Sequence, residues 1–122
     1  MYKRQYLTIA GDPDQAANAV RALARNAGLD LSAALGAFEE RTGFMAALGL
    51  PIEGFAFAAD FARNLDYYTG FIFEIRDPGR HDDRLVAGGG RYDRLLDHLG
   101  AGGPVPAVGC SFWLDRLAGD PA

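Results

Sequence analysis

The apolar residues of this chain change period near residue 55. Before that point they recur at helical spacing, and after it they alternate. A chain of 122 residues that does both has to lay helices against a sheet. Short turns join the strand-like runs, so the expected fold is α+β, an antiparallel sheet with flanking helices. The length suits one domain over residues 1–122, with a helical segment at about 12–49 and a sheet region at about 55–118.

The first half reads clearly. Asp12 fits an N-cap, Pro13 the first helical position and Gln15 the third. Ala16, Val20, Leu23, Ala24 and Ala27 then share one face, and Gly28 is a natural stop. A second helix is expected over about 31–41, with Leu31, Ala34, Leu35 and Phe38 inward and Gly43 as its end. Residues 44–48 would add one further turn. Residues 1–10 mix polar and apolar side chains as a short strand does, or as a segment cut from a longer protein does.

In the second half, Phe55, Phe57, Ala59 and Phe61 alternate as a strand, and residues 66–75 form the next. Residues 77–83 make a polar turn. A short strand over 84–87 runs into Gly88, Gly89 and Gly90. A helix is expected over 92–99, with Leu95, Leu96 and Leu99 inward and Gly100 closing it. A last strand over 105–110 and a last helix over 112–117 follow.

Charge and cysteine usage narrow the function. The net charge of −4 and the lack of a Lys/Arg run argue against a nucleic-acid footprint. Cys110 is the single cysteine, so no disulfide framework exists and a reduced, cytoplasmic setting fits. No stretch resembles a signal peptide or a membrane span. Neither His81 nor His98 has a second ligand at metal spacing, so no metal and no cofactor is expected.

Residues 63–74 carry more chemistry than a strand needs. With period two, Asp66, Tyr68, Gly70, Ile72 and Glu74 share a face, and Tyr67, Thr69, Phe71 and Phe73 share the other. Carboxylates and phenols on the first face can hold a small polar cation. The same residues also suit a plain strand with aromatic partners and an acidic edge. Gly88, Gly89 and Gly90 allow close approach of a ligand, or make a tight turn before a helix. They lack the Lys-Ser/Thr of a phosphate loop. Arg63 and Arg116 can each meet an anion or a surface carboxylate.

Taken together, three stretches resemble the histidyl-tRNA synthetase family. Residues 63–74 are similar to its signature Arg-Gly-Leu-Asp-Tyr-Tyr-Thr-Gly. Gly89-Gly90-Arg91-Tyr92-Asp93 resembles its second signature, Gly-Gly-Arg-Tyr-Asp-Gly-Leu. Residues 109–117 resemble class II motif 3. The order and spacing match over about residues 55–118. The resemblance implies part of a class II synthetase core. It implies a histidine pocket built from Arg63, Asp66, Tyr67, Tyr68, Gly88, Gly89, Gly90 and Tyr92, and an ATP end at Trp113 and Arg116.

The departures point to a branch of that family. Trp113 stands where motif 3 has a glycine beside ATP, and an indole fills that space. Asp115 replaces its glutamate, Asn64 replaces a glycine in the first signature, and Arg94 replaces one in the second. Motifs 1 and 2 have no counterpart. These features resemble the synthetase paralogues that serve as regulatory subunits of ATP phosphoribosyltransferase. That resemblance implies a non-catalytic role with a vestigial ATP site. It also implies a short-form catalytic subunit as partner, histidine as feedback ligand and a homo-oligomer. The competing expectation is a fragment of a synthetase that activates histidine with ATP.

Overall fold

Asp12 starts the longest capped element of the first half. Its Oδ1 accepts from the backbone N–H of Asp14 at 2.9 Å and of Gln15 at 3.0 Å, satisfying two of the open donors at a helix start. In this computed structural model, which describes residues 1–62, 68–79 and 84–118, the helix α2 (Pro13–Ala27) follows directly. Gly28 ends it at φ 67°. The Gly28 N–H donates to Arg25 O at 3.2 Å, and the Leu29 N–H to Ala24 O at 2.9 Å. That bond pair is a Schellman stop, and its left-handed residue is most easily a glycine.

The described contacts group into two compact units, Met1–Phe61 and Ala62–Ala122. In the first unit, α1 (Tyr2–Leu7) and β1 (Ala10–Gly11) precede α2. The helix α3 (Ser32–Ala47), a 3-10 turn at Ile52–Gly54 and β2 (Phe57–Ala58) follow it. Ala17, Val20 and Leu35 form the buried cluster, with Ile9, Leu31 and Phe38 packed against it. The Phe38 ring meets Phe57 edge-on, with centroids 5.6 Å apart, a favoured aromatic geometry. An Arg21–Glu39 ion pair links α2 to α3. Asp30 Oδ1 accepts from the Ser32 N–H at 2.9 Å and the Ser32 hydroxyl at 2.6 Å. These bonds favour the carboxylate and hold Asp30 below its ordinary range.

Three expectations change here. Residues 1–10 do not form one strand, and only Ala10 enters β1. Most of them form α1, whose Tyr2 hydroxyl donates to Asn26 O at 2.9 Å, so tertiary contact organises a segment of ambiguous pattern. Gly43 does not stop α3, which runs on to Ala47. A glycine inside a helix costs only about 1 kcal/mol, and the left-handed turn falls at Gly49 with φ 80°. The strand expected from Phe55 shrinks to Phe57–Ala58 because its partner is only Ala10–Gly11.

In the second unit, β3 (Ile72–Asp77), β4 (Arg84–Arg91) and β5 (Val108–Phe112) form an antiparallel sheet in the order β3-β4-β5. The short helices α4 (Leu95–His98) and α5 (Leu114–Leu117) follow β4 and β5. The glycine triplet is no turn. It lies inside the central strand, hydrogen-bonded on both sides, and is buried along with Val86 and Ala87. Ladder pairing on two edges selects extended backbone there, and none of the three residues has a left-handed φ. The register slips between Ile75 and Arg76, which leaves Val86 as an extra residue on β4, a β-bulge.

Other boundaries move as well. The strand expected over 66–75 begins at Ile72 and runs on to Asp77, while residues 63–67 fall outside the described residues. The last strand starts at Val108 rather than 105. The helix expected over 92–99 keeps only Leu95–His98, and Leu96 and Leu99 are exposed rather than inward. Gly100, with φ 97°, does close it.

Two substitutions test this framework by urea unfolding. Asp12→Ala should cost about 1 kcal/mol through the lost cap. Gly89→Ala should cost about 1–3 kcal/mol by overpacking, because its Cβ would lie 2.7 Å from Cys110 Cα and would also strike Gly109 O.

Candidate functional site

Strand register decides which side chains can meet. Ile72 pairs with Gly90 and Glu74 with Gly88, while Gly88 pairs with Ser111 and Gly90 with Gly109. Cross-strand partners share a face. Ile72, Glu74, Gly88, Gly90, Gly109 and Ser111 therefore line one side of the sheet. Tyr92, two residues past Gly90, belongs to the same side.

Tyr68 reaches this face through an irregular ladder. The Arg91 N–H donates to Phe71 O at 2.8 Å, while Arg91 O accepts from the Thr69 N–H at 2.9 Å. The 69–71 segment thus sets three residues opposite Arg91, two more than regular pairing needs, so the alternation of faces is kept. The Tyr68 ring lies over Gly90, where an added Cβ would sit 2.8 Å from Tyr68 Cε1. Tyr68 and Tyr92 face each other at 6.3 Å, tilted by 56°. Glu74 stands on the same face and accepts from Arg76 Nη2 at 2.9 Å. The result is a polar, aromatic wall of the kind that can hold a small amino compound.

The predicted glycine floor is divided. Gly88 and Gly90 face the tyrosines, but Gly89 faces the other side with its partners Phe73 and Cys110. Pleating forbids three successive residues from lining one surface. Even on the near side the space over Gly90 is filled by Tyr68. Of the remaining predicted pocket residues, Arg63, Asp66 and Tyr67 lie outside the described residues. Cys110 is exposed on β5.

Trp113 and Arg116 meet each other. Trp113 is the N-cap of α5, and its N–H donates to Val86 O at 3.0 Å. The Arg116 guanidinium lies over the indole at 5.2 Å, and its Nη1 donates to Leu85 O at 2.9 Å. Stacking on an indole and a backbone carbonyl gives this cation an internal role.

Two residues with structural roles at this site escaped sequence reading. Asp93 joins three segments. Its carboxylate takes Arg91 Nε at 2.8 Å and the Ala107 N–H at 3.1 Å, and its own N–H donates to Thr69 Oγ1 at 3.0 Å. Its place in the Arg91-Tyr92-Asp93 signature was the available signal. Gly109 is the other: it faces Gly90 from the next strand, and only the third signature marked it.

Asp93 makes a pH-dependent prediction. The hydrogen bond from Arg91 above all holds its carboxyl below the ordinary value of 3.8. A depressed carboxyl stabilises the fold fully above its unfolded value and loses that contribution as pH falls through the lower folded value. Asp93→Asn should therefore lower the urea midpoint at pH 7. The gap to the parent should close as the buffer is taken below 3.8; a gap that stays constant would refute this role.

Residues 3–117 match the family model described as histidyl-tRNA synthetase. Proteins of Brucella ovis, Brucella abortus and Brucella canis, each named ATP phosphoribosyltransferase regulatory subunit, are 49% identical to the chain over 114 residues, or 93% of it. The chain spans 30% of the length of these curated relatives. No helix among the described residues is long and apolar enough to cross a membrane. With helices set against antiparallel sheets and a match covering nearly its whole length, the chain belongs to the histidyl-tRNA synthetase family.

Proposed function

We propose that this chain serves in a non-catalytic regulatory subunit of ATP phosphoribosyltransferase, acting in histidine biosynthesis. It works in the cytoplasm, bound to a short-form catalytic subunit, as part of a homo-oligomer, with no nucleic acid or membrane as partner. The observation that carries this reading is the engagement of Arg116. In a synthetase the arginine of motif 3 holds ATP, whereas here it is stacked on Trp113 and bonded to Leu85 O. The shared name of the Brucella relatives supports the same reading.

The tyrosine face then has a different purpose. A pocket that holds histidine without activating it can report the end product of the pathway. Feedback requires only that histidine bind two states of the complex unequally. Tyr68, Tyr92 and the Gly88 position form this sensor together with Arg63, Asp66 and Tyr67. The family match over residues 3–117 favours one competing reading, a portion of a synthetase that activates histidine.

Two assays on the protein in its longest natural form separate these readings. Histidine-dependent ATP–pyrophosphate exchange should stay at background. Addition to the short catalytic subunit should raise phosphoribosyl transfer to ATP, and histidine should shift that activity by roughly 5- to 150-fold, the ordinary range of coupling between sites. Exchange above background would establish the competing reading.

A further inference from the structure

We infer that Gly109 is a positioning residue for the tyrosine face: it is the seat of Tyr92. This rests on the reading of that face as a histidine site. Gly109 belongs to β5 and to the third signature, the part of the sequence that the resemblance associates with nucleotide rather than amino acid. The structure assigns it to the other end of the site.

The geometry separates side-chain space from backbone freedom. Gly109 does not have a left-handed φ, so its backbone suits any residue. What excludes a side chain is Tyr92. A Cβ at Gly109 would strike the Tyr92 hydroxyl, with Cζ next at 3.2 Å and Cε1 at 3.5 Å. The partner position on β4 follows the same rule, since a Cβ at Gly90 would lie 2.8 and 2.9 Å from Tyr68 Cε1 and Cδ1. Gly90 and Gly109 are direct cross-strand partners. Two facing glycines thus make two adjacent seats, one for each ring, and the rings rest 6.3 Å apart.

The two seats are not equally testable. A Cβ at Gly90 would also strike the backbone carbonyl of Phe71, so substitution there disturbs the ladder as well as the ring. At Gly109 the nearest atoms all belong to Tyr92. An added methyl must therefore displace that ring, and removing the hydroxyl should relieve most of the conflict. The Cζ contact at 3.2 Å then needs a shift of only a few tenths of an ångström.

A double-mutant cycle reads this directly. The parent, Gly109→Ala, Tyr92→Phe and the double variant are compared for L-histidine affinity by calorimetry and for urea midpoint. Gly109→Ala should weaken histidine binding by roughly 5- to 150-fold, the affinity equivalent of an ordinary overpacking cost, and should lower the urea midpoint. With Tyr92→Phe also present, the alanine should have little further effect on either quantity. Equal effects of the alanine with and without the hydroxyl would overturn the proposal. If Gly109→Ala fails to fold, recovery of folded protein in the double variant supports the seat, and failure of both overturns it. If the parent itself does not bind histidine, the sensor reading fails, and the urea arm alone decides whether Gly109 seats Tyr92.

Discussion

The second half of this protein depends on a strand that has almost no side chains at its centre. In β4, Gly88, Gly89 and Gly90 are paired through their backbones to β3 on one side and β5 on the other. Glycine has a poor strand propensity and brings nothing to pack. The segment is nevertheless buried, because neighbours occupy the space that side chains would have filled. The backbone of β5 presses on Gly89 from one side, and the Tyr68 ring and Phe71 carbonyl press on Gly90 from the other. Close approach of this kind is a common reason for glycine inside a sheet.

The rest of the unit is tied to that strand at both ends. Beyond Arg91, Asp93 binds Arg91, Thr69 and Ala107, so the strand end, the segment carrying Tyr68 and the approach to β5 are joined through one residue. At the beginning of the strand, Leu85 and Val86 offer their carbonyls to Arg116 and Trp113. The aromatic face and the Trp113–Arg116 stack are thus attached to opposite ends of one strand. The Trp113 indole and the Leu85 carbonyl hold the Arg116 guanidinium within the unit.

Much of the helical half was legible in the sequence because helix ends are local chemistry. Asp12, Pro13 and Gly28 act within one turn of their own positions, so no distant residue is needed to interpret them. Gly43 misled for the opposite reason: a glycine is only permissive, and the chain used Gly49 for its left-handed turn. Residues 1–10 were ambiguous until the Tyr2 hydroxyl met Asn26. In the site, alternation placed Glu74, Ile72 and Tyr68 correctly on one face, but it could not foresee the irregular ladder at residues 69–71. Nor could it show that Gly89 faces away from Gly88 and Gly90, since a turn and a strand looked equally good for three glycines.

The sequence by itself determined the change from helical to alternating period, the capped ends of α2 and the set of residue types that make a polar, aromatic face. These follow from spacing and from chemistry within a few residues. Tertiary structure alone decided that the glycine triplet is a central strand, that Arg116 turns inward to Trp113 and Leu85, and that Gly109 lies beneath Tyr92. A residue without a side chain leaves no pattern of its own. Its role is set by what packs into the space it leaves, and those neighbours come from other strands.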